Sequence, residues 1–223
     1  MHTGKGQVVE LVLRDGLRHA RIACQPALIP SPGQYLLAGS DSDSPLPDSV
    51  FCTDLMPDGF LAAPAPLAWN AGMQLSLCGP LGRGFELPAK AKSVALVPFA
   101  STASRLHPLI PLALQQEAAV VLVGDRGGDH LPDDVEVQPR AALGEILSWA
   151  DWIAFDADRE GLPELRALLG RLNQSTGLKE AAILLHTPIP CGGAADCGVC
   201  AIVTKSGWKM VCKDGPVFRW GDF

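Results

Sequence analysis

Residues 93–125 read SVALVPFASTASRLHPLIPLALQQEAAVVLVGD, and their rhythm decides the fold. A compact apolar run, SVALVPF, gives way to the helix-like ASRLHPLIPLALQQ, then to a second apolar run, AAVVLVGD. Short apolar runs rich in Val and bounded by turn formers are the pattern of strands covered on both faces. Pro108 and Pro111 should kink or delay the helix between them, because proline lacks the N–H that a helix interior uses. The alternation continues downstream: VEVQP, the helical RAALGEILSWA, DWIAFDAD, LPELRALLGRLNQ with Leu at helical spacing, and EAAILLHTP. Repeated strand–helix units of this length imply a parallel sheet with flanking helices, a nucleotide-binding-like α/β domain expected over residues 91–186.

Working back toward the N-terminus, the character changes. QVVELVLRD and RHARIACQPAL alternate apolar and polar residues, and PGQYLLAG follows a Ser-Pro-Gly turn. DSDSPLPDS, residues 41–49, is a polar loop, and MQLSLCGPLGRGFEL alternates as far as Leu77 before breaking at Gly79-Pro80. Short strands separated by turn chemistry predict a small antiparallel β-barrel over residues 1–90.

The composition narrows the classes of function. The chain has 223 residues, 48% apolar and 19% charged, and a formal net charge of -6. No basic field is available to hold a nucleic-acid backbone or an anionic membrane, so neither is expected as a partner. MHTGKGQVVELVLRDG lacks the layout of a signal peptide, and SVALVPFA is too short to span a bilayer. A cytoplasmic location is the expectation, and there clustered thiols favour metal binding or redox work over disulfides.

The thiols cluster at the C-terminal end. Cys191, Cys197, Cys200 and Cys212 have the spacing C-x5-C-x2-C-x11-C, within a segment, residues 187–223, too short to fold on a core of its own. The turn Lys205-Ser206-Gly207 should return the chain as a hairpin carrying the fourth cysteine. Four thiolates in this layout resemble the plant-type [2Fe–2S] ligand order. Gly192, Gly193, Ala194, Ala195 and Gly198 would let the loop turn tightly around such a centre. Structural zinc also accepts four cysteines, although its sites usually bring two C-x2-C knuckles and only one is present here; a metal-free cluster is the third reading. Cys24, Cys52 and Cys78 are scattered singly and read as buried small apolar residues.

CGVC followed by VCKDGPVF resembles the C-terminus of the electron-transfer subunits of class 1B dihydroorotate dehydrogenases, iron–sulfur flavoproteins of the ferredoxin–NADP reductase-like superfamily. PGQYLL, residues 32–37, and GPLGRGFELP, residues 79–88, resemble the same family. The resemblance implies a flavin-binding-like barrel, a nucleotide-binding-like α/β domain and a terminal [2Fe–2S] segment. It further implies that Cys191, Cys197, Cys200 and Cys212 ligate the cluster, and that electrons pass to or from a flavin-containing catalytic subunit in a hetero-oligomer, in pyrimidine biosynthesis. One departure is an extra residue between the first two cysteines.

Other departures fall on the family's nucleotide contacts. The Arg-Pro-aromatic-Ser motif that holds FAD is matched by DSVFCTDL, with Ser49 for the Arg and Cys52 for the Ser. The Gly-Thr turn for the pyrophosphate is replaced by APAPLAW, residues 63–69, whose prolines delete N–H donors. No glycine lies between Ser93 and Gly124, where a dinucleotide would approach the backbone, and AFDAD, residues 154–158, stands in place of a Cys-Gly-Pro turn. The expectation is a relay that does not itself take hydride from NAD(P)H. FAD held through contacts outside these motifs is a second reading, and a reductase-derived interaction subunit with structural zinc is a non-enzymatic one.

The remaining candidates read as structural. Residues 124–128, GDRGG, follow the second strand rather than the first and are explained as a turn. His107 and His186 have no partner evident in sequence and read as surface or cap residues. Trp149 and Trp152 are expected in the core, whereas Trp208 and Trp220 bracket Cys212 and would shield the centre or meet a partner.

Overall fold

The computed structural model describes residues 2–14, 16–40, 46–99, 103–124, 130–176 and 180–223, the side chains of 173–176 excepted. Six strands, β1 (His2–Arg14), β2 (Leu17–Cys24), β3 (Tyr35–Ser40), β4 (Asp48–Met56), β5 (Gly59–Ala62) and β6 (Gln74–Leu81), close into a barrel in the order β1-β2-β5-β4-β3-β6. Every pairing in it is antiparallel. Alternation places Leu75 and Leu77 of β6 inside with Ile22, Leu36, Phe60 and Trp69, while Gln74 and Ser76 face out.

The strand–helix rhythm builds the second unit. β7 (Ser93–Pro98), α1 (Leu109–Gln115), β8 (Ala119–Val123), β9 (Val135–Gln138), α2 (Leu143–Trp149), β10 (Trp152–Asp158), α3 (Leu162–Thr176) and β11 (Glu180–His186) follow in turn. All six residues of β7 are buried, as its unbroken apolar run requires. A single 3-10 turn, Ser104–Leu106, precedes α1. Pro108 caps the helix and Pro111 stands in its first turn, where the missing N–H leaves no bond unmade. The prolines therefore delay the helix without breaking it.

The chain ends in a hairpin, β12 (Ala201–Thr204) and β13 (Gly207–Met210), one helical turn, α4 (Val211–Asp214), and a last strand, β14 (Val217–Arg219). That strand returns to the sheet, whose order is β14-β11-β10-β7-β8-β9. The five strands from β7 to β11 run parallel, and β14 lies antiparallel against β11. The C-terminal segment is thus not an appendage: its Cys200, Ile202, Val211 and Cys212 share one apolar core with Phe155 and Ile183 of the sheet and with Tyr35 and Phe51 of the barrel.

The barrel also grips this segment through its main chain. Arg83 N–H donates to the carbonyl of Gly215 at 2.6 Å, and Arg83 bridges Pro216 in parallel. At Gly33, with φ +86°, a Cβ would lie 2.5 Å from Val217 Cγ2 and 2.9 Å from Phe85 Cδ2, so only glycine lets the turn before β3 press against β14.

Several expectations are corrected. Trp152 is buried as expected, but Trp149, the last residue of α2, is 41% exposed. Of the three scattered cysteines only Cys52 is buried; Cys24, at the end of β2, and Cys78, on the outward side of β6 with Gln74 and Ser76, are half-buried. Of the turn at residues 124–128, positions 125–128 lie outside the described residues, as do 41–45 of the polar loop. No helix among the described residues is long and apolar enough to cross a membrane.

Candidate metal centre

The four clustered cysteines come together as two pairs. Cys191 Sγ and Cys197 Sγ are 3.5 Å apart on the Gly/Ala-rich loop, and Cys200 Sγ and Cys212 Sγ are 3.3 Å apart in the core. All seven cysteines are free thiols, and these separations far exceed a disulfide bond. A tetrahedral metal with bonds of about 2.3 Å to sulfur spans about 3.8 Å between two of its ligands, so each pair is set for one metal. Among the described residues no three His, Cys, Asp or Glu side chains converge as a single ion would require. Two sulfur pairs are a donor set suited to an iron–sulfur cluster.

Local structure explains the pairing. The loop is wound by Gly192 N–H to Ile189 O and Ala194 N–H to Cys191 O, while Gly192, Gly193 and Gly198 all take positive φ. The hairpin β12–β13 brings the fourth cysteine back, with Thr204 opposite Gly207 across the turn. Cys212 lies in α4, one helical turn beyond β13 rather than on the strand itself. Val211 N–H donates to Cys200 O at 3.1 Å and holds the inner pair in register. Between the halves, Lys213 Nζ meets Asp196 Oδ1 at 2.6 Å, an ion pair joining the neighbours of Cys212 and Cys197.

The two pairs occupy different electrostatic surroundings. Main-chain hydrogen bonds at Ala195 and Gly193, followed by the Cys197 thiol, bring the Cys191 thiol down to about 7. Burial pushes the Cys212 thiol up to about 12, and the neighbouring Cys200 adds to the shift. Cys197 is exposed, whereas Cys200 and Cys212 are 2% and 6% exposed, so one pair faces solvent and the other faces the core.

The positions corresponding to flavin and nucleotide contacts do other work. Ser49 lies within β4, paired with Leu37 of β3. The Cys52 thiol donates to Asp54 O, and burial pushes it up to about 12, so it packs rather than binding phosphate. In the loop 63–69, Arg18 donates to the carbonyls of Pro66 and Trp69. At the carboxyl edge of the sheet, between β7 and β10 where the strand order reverses, Arg105 forms a fork on Asp156: Nε lies 3.0 Å from Oδ2 and Nη2 lies 3.1 Å from Oδ1. Both side chains are buried. Asp158 stands 3.8 Å from the same guanidinium and accepts from His186 at 3.1 Å, and the His186 ring meets Phe51 edge-on at 5.9 Å. His186 is therefore not isolated. In open α/β sheets this reversal is where dinucleotides bind; here the protein's own ion pair sits there. At these positions the polar groups are engaged within the protein itself.

Sequence reasoning missed Arg105. An acid inside the apolar strand DWIAFDAD was the available signal, since a buried carboxylate requires a partner. Trp220 is half-buried, packed on Phe155 and Phe223, whereas Trp208 of β13 is 72% exposed.

Residues 190–223 match the family described as the iron–sulfur cluster binding domain of dihydroorotate dehydrogenase B, in agreement with the likeness carried by CGVC and VCKDGPVF. Proteins of Thermotoga petrophila and Thermotoga maritima, both named as dihydroorotate dehydrogenase B (NAD(+)), electron transfer subunit, are each 34% identical over 148 residues. The aligned part covers 63% of this chain and 60% of each relative. Among solved structures, an NADH-dependent reduced ferredoxin–NADP oxidoreductase matches with a TM-score of 0.74 at 17% identity, covering 97% of this chain and 88% of that one. The ferredoxin reductase of carbazole 1,9a-dioxygenase matches with a TM-score of 0.60 at 18% identity, covering 79% and 66% respectively. The fold is ferredoxin reductase-like.

Proposed function

We propose that this chain is an electron-transfer subunit that relays electrons through a [2Fe–2S] cluster held by Cys191, Cys197, Cys200 and Cys212. The observation that carries the reading is the arrangement of the four thiols as two pairs, 3.5 Å and 3.3 Å between sulfurs. When bound, such a cluster supplies reversible one-electron chemistry, at roughly -400 mV for an all-cysteine plant-type site. The chain's residues hold and tune it: Cys191 and Cys197 present thiolates at the surface, whereas Cys200 and Cys212 do so in a desolvated core.

The partner in this reading is a flavin-containing catalytic subunit in a cytoplasmic hetero-oligomer, similar to the system named for the Thermotoga relatives. Val203 and Trp208, exposed on the hairpin beside the cysteines, offer an apolar contact for it. The Arg105–Asp156 pair at the sheet's carboxyl edge supports a relay that takes no hydride from NAD(P)H, and the thiol of Cys52 supports one that holds no FAD by the family's usual contacts.

The test is anaerobic purification followed by visible spectroscopy and iron and sulfide analysis. Two irons and two sulfides per chain are expected, with a brown chromophore and no flavin released on denaturation. Cys200→Ser is expected to lose the chromophore, whereas Cys78→Ser keeps it. Colourless protein carrying one zinc, or a full cluster spectrum in Cys200→Ser, would overturn the reading.

A further inference from the structure

Tyr35 opens β3 at the rim of the barrel, and its side chain is fully buried. Its hydroxyl donates to the main-chain carbonyl of Cys212 at 3.1 Å, across 177 positions of sequence. That carbonyl belongs to the single turn of α4, where helical geometry would give it the N–H four residues on. The residue there is Pro216, which has none. A buried carbonyl must still be satisfied, and the donor comes from the barrel.

The ring is held on its way to that contact. Phe51 packs against it at 6.0 Å between centroids, and a Cβ at Gly82 would stand 3.1 Å from Tyr35 Cε1. The hydroxyl is thus a fixed donor to the peptide that carries the fourth clustered sulfur.

We propose that Tyr35 is a positioning residue for the metal centre: its hydroxyl fixes the peptide that carries the fourth sulfur and favours the reduced cluster. The inference rests on the reading of the four cysteines as cluster ligands. Reduction adds negative charge, and potentials of such clusters respond to nearby hydrogen bonds, so deleting this donor makes reduction harder.

The test compares wild type, Tyr35→Phe and Phe51→Leu, all prepared anaerobically. Tyr35→Phe removes one oxygen and keeps the ring, whereas Phe51→Leu loosens the same packing and leaves the donor intact. Iron content, the electron paramagnetic resonance of the reduced protein and the midpoint potential are measured on each. Tyr35→Phe is expected to load iron, to alter the resonance, and to shift the reduction equilibrium against the reduced form by about threefold to tenfold. Tenfold corresponds to about 59 mV for one electron. Phe51→Leu is expected to melt earlier at an unchanged potential.

An unchanged resonance and potential in Tyr35→Phe would overturn the assignment, as would an equal shift in Phe51→Leu. If Tyr35→Phe fails to load iron, the assignment stands when Phe51→Leu loads it and falls when neither does. Wild type isolated without iron overturns the cluster reading and this inference together. Iron-loaded wild type with an unaltered Tyr35→Phe overturns this inference alone.

Discussion

Arg105 and Asp156 place opposite charges in the interior, where desolvation competes with attraction. Burial pushes the Asp156 carboxyl up to about 6, against the pull of Arg105 and with a smaller push from Asp158. Because the folded value lies above the ordinary one, the stability this carboxyl contributes is complete below about pH 4 and is lost as the pH rises through about 6. Asp156→Asn is therefore expected to fold at pH 7 and to lack the decline in stability that wild type shows between those values, as followed by urea unfolding. Arg105→Met, which strands the carboxylate, is expected to cost about 3–5 kcal/mol at pH 7 and much less at pH 4. Equal costs at both pH values would contradict the assignment of the shift to Asp156. The four clustered cysteines were legible in the sequence because all lie within one short stretch. Arg105 and Tyr35 were not, because each has its partner far along the chain, 51 and 177 positions away, and only the fold brings the pairs together.

Strands and helices were legible where burial leaves a period or an unbroken apolar run. β7, β8 and β10 announce themselves in this way, and the prolines of α1 marked its delayed start. β14 did not: three residues carry no period, and its extended form follows from pairing with β11. Trp149 misled because a large ring at a helix end reads as core, yet it lies in the last turn of α2 with its side chain turned outward. The contact between β14 and the turn before β3 is the element-scale joint of the molecule. Gly33→Ala would bring a Cβ within 2.5 Å of Val217 Cγ2 at a φ of +86°. The variant is expected to lose about 2–4 kcal/mol, from left-handed strain plus overpacking, measurable as a lower denaturant midpoint at unchanged slope.

At the scale of the whole molecule, the sequence showed a barrel, a parallel α/β layer and a cysteine-bearing end in the right order. It did not show that the end is folded into both of the others. Cys200 and Cys212 lie in a core shared with the sheet and the barrel, whereas Cys191 and Cys197 lie on the outer loop. Removing iron with a chelator is thus expected to open residues 191–199 to proteolysis first, leaving the barrel and sheet as a resistant fragment identified by mass spectrometry. Simultaneous digestion of the entire chain would show that the centre supports the whole fold instead. β14 pairs with β11, and Arg83, just past β6, bridges the adjoining Pro216, so the cysteine-bearing end is tied at its base to both sheet and barrel. If the proposed relay holds, exchange depends on how closely another surface can seat beside the outer thiols, Cys191 and Cys197.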